Sequence, residues 1–245
     1  MESIRWWTAL LLVCGIISVV LLVAAPLGYK YHVFALSPSF VSLLIALVTA
    51  ILVLLGSIVM VFVAMNQGLP ANRNLLVVAL ILSLVPVAFM VPQMIKGRSA
   101  APIHDISTDT ANPPTFDKIV GMRKDALNSL KYGAGKASLE DYIALQQKAY
   151  PNVKSLHTNL SVADAVVHAK DILAAQGLDV VNVDAANGVV EAVATSFWFG
   201  FKDDVVVRVT PADQGSTVDM RSVSRVGISD LGVNAARIRK FLKAF

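Results

Sequence analysis

The stretch SRVGISDLGVNAARIRKF, residues 224–241, concentrates polar side chains of the kind that bind small molecules. Five of these side chains supply two guanidinium groups, a hydroxyl, a carboxylate and an amide: Arg225, Arg237, Ser229, Asp230 and Asn234. A few polar groups that converge on an apolar pocket are the usual form of a ligand-binding site. These residues are our first candidate site, at the polar end of a pocket for a lipid or another apolar molecule.

The same stretch also has a structural interpretation, as the corner between a strand and the last helix. Gly227 allows the chain to turn, and either Ser229 or Asp230 is a favourable N-cap for a helix. Apolar residues then recur at helical spacing and share one side: Leu231, Ala235, Ile238, Leu242 and Phe245. That side is expected to pack on a sheet.

Asn234 decides between these two interpretations. It lies one turn before Ile238, near the apolar side of the helix, where an unpaired amide would cost about 1–3 kcal/mol. A ligand could supply its partner, and so could Arg225 or the backbone of residues 227–229. We favour a partner inside the protein.

A second group of candidates lies in HDISTD, residues 104–109. Asp105 and Asp109, with His104, could bind a ligand or a metal ion. Three such groups on one extended stretch, with no distant partner visible, are better explained by hydrogen bonding in turns. KYGAGK, residues 131–136, lacks the glycine spacing of a phosphate-binding loop. We therefore predict no metal and no cofactor.

The elements that must position these residues follow from the apolar periodicity. Four short strands with tight turns between them can pair only as antiparallel hairpins. The expected fold class is an α+β soluble domain with a four- to five-stranded, largely antiparallel sheet and a packed C-terminal helix, which is similar in element order to the helix-grip fold. The elements are helices at 117–131, 139–148 (capped by Ser138) and from Ser161, and strands at 154–160, 178–183, 189–196, 203–210 and 217–225.

Three apolar runs precede this domain, and each is long enough to cross a bilayer as a helix. They are residues 6–27, 40–65 and 75–95. None contains an ionisable residue, which argues against an ion or substrate path through these helices. Small residues in them are expected to serve helix contacts: Gly15, Ser18, Gly56 and Ser57.

The division of the chain follows its composition. Residues 1–98 are predicted to be a three-helix transmembrane anchor, residues 99–116 a proline-rich extended linker, and residues 117–245 the soluble domain. The net charge of +4 belongs wholly to the first hundred residues, so the neutral domain offers no basic surface to nucleic acid. The loop FWFGFKDD, residues 197–204, could close a pocket or touch the membrane, although we favour core packing for its aromatic residues.

Three motifs resemble one bacterial and plastid family. HDISTD with NPPTF, AYP at residues 149–151, and SRVGISDLGVNAARI near the end are similar to the domain of unknown function 1499, over residues 105–245. The resemblance implies an exported or membrane-tethered protein and transfers no activity. We therefore expect a multi-pass protein of the bacterial inner membrane with its soluble domain in the periplasm. The basic residues on the two sides of the membrane are almost equal in number, and by themselves they would slightly favour a cytoplasmic soluble domain.

Three functions are compatible with the sequence. The first is a non-enzymatic binding module for a lipid or other apolar ligand in the envelope. The second is a structural or accessory subunit, whose helices associate with membrane lipids and with a membrane-protein partner or a second copy. A hydrolase that uses Asp105, Asp109 or Asp230 is the least favoured, because the sequence has no nucleophile and base motif and no paired metal-ligand spacing.

Overall fold

The computed structural model describes residues 2–136 and 138–245, which form two compact units. Residues 1–98 make up the first unit and residues 99–245 the second. The fold is mixed α+β, as predicted: three long apolar helices precede an antiparallel sheet and a C-terminal helix.

The first unit consists of three apolar helices, α1 (Trp6–Lys30), α2 (Leu36–Asn66) and α3 (Pro70–Ser99). All three are long and apolar enough to cross a membrane, which indicates that the protein is membrane-associated. Helix α3 continues through both Pro86 and Pro92. The prolines remove backbone donors in the last half of that helix, so its hydrogen-bond ladder is incomplete there.

Small and polar side chains join these helices to one another. Gly15 and Ser18 are buried, and a Cβ atom on Gly15 would lie 3.4 Å from the backbone oxygen of Ala79. At the start of α3, the buried Asn72 side chain accepts hydrogen bonds from the Thr8 hydroxyl, at 2.8 Å, and from the Arg5 amide, at 2.9 Å. Inside a bilayer the hydrophobic effect does not drive apolar helices together. Hydrogen bonds between polar side chains of this kind therefore help to hold the helices in contact.

The second unit is built on a six-stranded, fully antiparallel sheet. Four strands follow one another as a meander: β3 (Asp179–Asp184), β4 (Val189–Thr195), β5 (Lys202–Pro211) and β6 (Ser216–Ser224). The outer side of β6 pairs with two short strands, β1 (Asp105–Ser107) and β2 (Leu156–Thr158). Residues 105–107, which lie within the segment that we predicted to be an extended linker, therefore pair with β6 as a strand of the sheet.

One face of the sheet is covered by two helices, α5 (Val162–Ala175) and α6 (Val233–Ala244). Alternate residues of each strand point into this core, for example Val205, Val207 and Val209 of β5, and all three are buried. Ala235, Ile238 and Phe241 of α6 are fully buried against the same face. This core is the main apolar cluster of the domain.

The opposite face of the sheet is covered by residues 108–136, which include a short 3-10 helix, Lys118–Met122. We predicted an α-helix over residues 117–131, and that prediction was wrong. The buried carboxylate of Glu191 on β4 accepts the amides of Asp117 and Lys118, both at 2.8 Å. Those bonds fix the segment on the sheet, and Leu127, which an amphipathic helix would have buried, is 78% exposed.

The other predicted helices are confirmed. Helix α4 (Leu139–Ala149) begins where the Ser138 hydroxyl accepts the Asp141 amide, at 3.0 Å. Helix α5 begins where Ser161 accepts the Asp164 amide, at 3.2 Å. Both contacts satisfy backbone donors of the first turn, as an N-cap residue should.

Candidate functional site

The corner between β6 and α6 is closed by Asp230. Its carboxylate accepts the amides of Gly232 and Asn234, both at 2.8 Å. The helix itself begins later than we predicted, at Val233, because Leu231 and Gly232 adopt left-handed backbone angles of 55° and 80° in φ. Burial raises the pKa of Asp230, against the lowering effect of the two amides.

Ser229 fixes the segment that enters the domain. Its hydroxyl donates to the backbone oxygen of Ala101, at 2.8 Å. The next residue continues this contact, since the Asp230 amide donates to the oxygen of Ile103, at 3.2 Å. The predicted site residue Ser229 therefore connects two parts of the backbone of the domain.

Asn234 has its partners inside the protein, as we favoured, but they are not the expected Arg225 or the backbone of residues 227–229. Its side-chain oxygen accepts the Ser222 hydroxyl at 2.6 Å and also a guanidinium nitrogen of Arg237. Its side-chain nitrogen donates to the backbone oxygen of His104 at 2.9 Å and to the Ser224 hydroxyl at 3.0 Å. The amide is fully buried, and these contacts use both acceptor positions of its oxygen and both donors of its nitrogen.

Arg237 extends this network to the neighbouring strand. Besides Asn234, it contacts the Ser222 hydroxyl at 2.8 Å and forms an ion pair with Asp203, at 2.7 Å. Both side chains of the pair are largely buried, with 12% and 15% of their areas exposed. The guanidinium therefore ties α6 to β5 and β6.

Arg225, on the other face of the sheet, binds the carboxylate of Asp204. The guanidinium of Arg225 contacts both carboxylate oxygens, the shortest contact being 2.7 Å. A second guanidinium, that of Arg123, binds the same carboxylate. Asp204 is fully buried, so two cations compensate one desolvated charge.

Asp105 forms an ion pair that is almost fully buried, with 3% of its own side chain and 4% of its partner's exposed. Its carboxylate contacts Arg221 through two parallel bonds, Nε to Oδ1 at 2.9 Å and Nη2 to Oδ2 at 2.7 Å. The guanidinium lies between the rings of Phe116 and Tyr132, at 5.3 and 5.4 Å from their centroids. Burial raises the pKa of Asp105, and the opposing effect of Arg221 is smaller.

Asp109 lies at the rim of the same face. It forms an ion pair with Arg208, at 2.9 Å, and the same guanidinium nitrogen contacts Asp219 at 3.0 Å. The second oxygen of Asp109 accepts the amides of Ala111 and Asn112, at 3.1 and 2.9 Å. This is the turn-forming role that we favoured for Asp109.

The seven predicted residues thus divide between two faces of the sheet. Ser229, Asp230, Asn234 and Arg237 form one network at the corner of α6. Arg225 and Asp105 belong to a set of buried or largely buried ionic groups on the opposite face, which we call the charged layer: Asp105, Glu191, Asp204, Asp219, Arg123, Arg208, Arg221 and Arg225. Asp109 lies at the rim of this layer, where it forms an ion pair with Arg208. All seven contact other residues of the domain, and a ligand at any of them stays a prediction.

Sequence reasoning missed most of the charged layer. Glu191, Asp219 and Arg221 alternate with apolar residues along β4 and β6, a pattern that usually marks the solvent face of an antiparallel strand. The sequence does contain a signal for these residues: several successive strands place charged side chains on the same face of the sheet. Pairing between opposite charges on adjacent strands would then have predicted the layer.

The space between α6 and the sheet, where we expected an apolar cavity, is filled by Ile238 and Phe241. Two other concave regions lie on the outside of the domain. An open groove of about 720 Å³ runs along α5 beside Val167 and His168, and a smaller one of about 380 Å³ lies beside Tyr150 and Lys154. Across residues 2–136 and 138–245, no three His, Cys, Asp or Glu side chains are grouped as metal ligands.

We predict that replacing Asn234 with leucine lowers the free energy of unfolding of the domain by about 2 kcal/mol. The change leaves the oxygen of His104 and the hydroxyls of Ser222 and Ser224 without their buried amide partner. Urea unfolding of the full chain in detergent measures it. Asn152→Leu, at an exposed position, is the matched control and should change stability by less than about 0.5 kcal/mol. Equal losses in the two variants would contradict the prediction.

Comparison with known proteins matches the second unit to one family. The sequence model described as "Protein of unknown function (DUF1499)" matches residues 105–245. No curated protein and no solved structure matches the chain. The match begins at β1 and runs to the end of α6, so it covers the sheet, both of its faces and the corner at Asp230. The chain belongs to the DUF1499 family.

Proposed function

We propose that the protein is a non-enzymatic, membrane-anchored structural or accessory subunit of the bacterial envelope, which acts through its outer surface. One observation carries this proposal: the polar residues expected to bind a ligand are bound to one another inside the domain. Arg225 is held by Asp204, Arg237 by Asp203, and Asn234 by hydroxyls and backbone. Such groups would have to break strong internal contacts before they could bind anything else.

A lipid or other apolar ligand between the sheet and the last helix is the less supported proposal. It requires a cavity of several hundred Å³ beside α6. Ala235, Ile238 and Phe241 line that position, and all three are fully buried in the core. A ligand there would have to displace side chains that are already close-packed.

The partner that we propose is a membrane protein or a second copy of this chain, which contacts the three apolar helices. Native mass spectrometry of the full chain, purified gently in detergent, tests this. We expect a complex of defined stoichiometry. A monomer that carries one discrete lipid, lost in Asn234→Leu while the fold is intact, would overturn the proposal in favour of the binding module.

We also propose that the soluble domain lies in the periplasm and that the anchor spans the inner membrane. The family resemblance supports this, since members are in general exported or membrane-tethered. Reporter enzymes fused after Phe245 test the orientation. A reporter that is active only in the periplasm should be active, and a reporter that is active only in the cytoplasm should be silent. The reverse pattern would place the domain in the cytoplasm.

A further inference from the structure

The chain enters the second unit at one end of the sheet, where β4 ends, β5 begins and β6 ends. We call this the entry end, and define it as residues 100–104, the loop 196–201, and the turn 225–230 with Leu127 beside it. The Ser224 amide donates to the oxygen of His104, and the Arg225 amide donates to the oxygen of Lys202, both at 2.9 Å. These bonds hold the incoming chain, the β4–β5 loop and the end of β6 together.

The entry end exposes the three least covered large apolar side chains among the described residues of the domain. Phe197 is 85% exposed, and Leu127 and Ile228 are each 78% exposed. They stand on three different segments that meet at the end of β6, since the Leu127 amide donates to the oxygen of Arg225, at 2.9 Å. Single exposed apolar residues are ordinary, but three this exposed at one end of a sheet indicate a surface that is covered in use.

The loop that carries Phe197 is held in shape by its own backbone. The Ser196 amide donates to the backbone oxygen of Phe201 at 2.8 Å, and the Phe201 amide donates to the Ser196 hydroxyl at 2.9 Å. Gly200 takes a left-handed φ of 69°, which closes the loop, and the rings of Phe199 and Phe201 stack at 4.7 Å. We favoured core packing for these aromatics; none of the four is buried, and the loop presents Phe197 outward.

The composition of the entry end suits a lipid surface. Aromatic side chains are enriched at the boundary between headgroups and water, because an apolar ring can insert while the backbone stays hydrated. Lys202, which directly follows the loop 196–201 and accepts the Arg225 amide with its backbone oxygen, is exposed, and a cationic side chain favours contact with anionic lipids.

The short stretch of chain between α3 and β1 indicates which membrane the entry end would contact. Helix α3 ends at Ser99 and β1 begins at Asp105. Fully extended, the residues between them span at most about 20 Å, so this tether keeps the entry end close to a bilayer that α3 crosses. The opposite end of the sheet, at the β3–β4 and β5–β6 turns, has no such constraint and carries the polar residues Asn187 and Asp213.

We propose that the entry end docks on the lipid surface of the membrane that anchors the protein, with Phe197, Leu127 and Ile228 inserted among the headgroups. The docked domain would be held in one orientation, with the β3–β4 and β5–β6 turns directed away from the bilayer. The proposal needs only the membrane association of the helices and does not depend on the partner proposed above.

Fluorescence quenching in nanodiscs tests the proposal with the full chain. The only cysteine, Cys14, is first replaced by serine, and single labels are placed by Phe197→Cys and Ile228→Cys. The nanodiscs hold one chain each in phosphatidylcholine and phosphatidylglycerol, with nitroxide on the headgroups. Insertion of about 5–10 Å should bring both labels into contact with the quencher. The controls, Ala186→Cys and Asp213→Cys, lie on exposed turns at the opposite end and should be quenched several-fold less.

A second label keeps the native apolar residues in place. Lys202→Cys reports on the entry end while Phe197 and Ile228 remain, and its quenching should fall toward the control level when Phe197→Glu and Ile228→Glu are added. Equal quenching at both ends of the sheet, or none at the entry end, would overturn the proposal. Labels that are shielded from both water and lipid would also overturn it, because a protein surface would then cover this end. None of these outcomes changes the complex that we expect from native mass spectrometry, so the two proposals can fail separately.

Discussion

Replacing Arg221 with alanine should destabilise the soluble domain by about 3–5 kcal/mol, because it leaves a buried carboxylate without its cation. Arg221 and Asp105 are both almost fully buried, with 4% and 3% of their side chains exposed. The guanidinium also donates to the backbone oxygens of Pro114 and Leu130, at 3.1 and 2.6 Å. The substitution therefore removes the ion pair and two contacts that hold the covering segment 108–136 on the sheet.

Thermal unfolding of the full chain in detergent measures this effect. A loss of that size should lower the Tm of the domain by on the order of 10 °C. Lys170→Ala is the matched control, because Lys170 forms an ion pair with Asp171 that is about half exposed, and such pairs contribute about 0–1 kcal/mol. Arg221→Lys keeps the charge without the parallel bonds and should fall between the two. A Tm for Arg221→Ala equal to that of the control would show that the charged layer contributes little to stability.

The same variant should show a pH dependence of known sign. Burial already raises the pKa of Asp105, and removing Arg221 takes away the nearest group that lowers it. An acid whose pKa is raised in the folded state holds its proton more strongly when folded than when unfolded. Its contribution to stability is then largest below the unfolded pKa and is lost as the pH rises through the folded pKa. The deficit of Arg221→Ala should therefore shrink as the pH is lowered and grow as it is raised.

Replacing Phe241 with alanine should cost about 3–5 kcal/mol, as do other fully buried aromatic residues. Phe241 is fully buried in the core between α6 and the sheet. Truncation removes most of a large apolar side chain from this core and leaves a cavity that rigid neighbours cannot close completely. The prediction also tests the proposed function, because it holds only where side chains fill the space beside α6.

Urea unfolding of the full chain gives the measurement, and Phe245→Ala provides a matched aromatic control. Phe245 is only partly buried and packs at the edge of the same core, so its truncation should cost clearly less. A loss below about 1 kcal/mol for Phe241→Ala would be far under the range for buried aromatics. It would mean that the space around the Phe241 ring is not fully packed, and this result would support an apolar ligand between α6 and the sheet.

Much of the domain could be predicted from local sequence. Helix α5 was found because Ser161 marks its start and Ala165, Val166 and Ala169 recur at helical spacing. The meander of β3 to β6 was found because short polar turns leave antiparallel pairing as the only geometry. In both cases the information lies within a few residues of chain, where capping, periodicity and turn length act directly.

The candidate site was predicted only in part. Asn234 was identified as a buried amide that needs a partner, and helical periodicity was enough for that inference. Its actual partners, among them Ser222 and the backbone of His104, come from β6 and from a segment 130 residues away. Periodicity along one helix carries no information about which strand end or which distant backbone will face it.

By itself, the sequence determined the three apolar helices, the antiparallel sheet with its last helix, and the family, because each depends on composition, short-range periodicity or a contiguous motif. Only the tertiary structure decided that residues 117–131 do not form an α-helix and that the charged layer is buried. Residues 117–131 have helical periodicity, yet the Glu191 carboxylate on β4 binds the amides of Asp117 and Lys118 and holds the segment on the sheet. A buried charge is tolerated only beside its partner, and partners such as Asp105 and Arg221, 116 residues apart, are brought together only by the folded sheet.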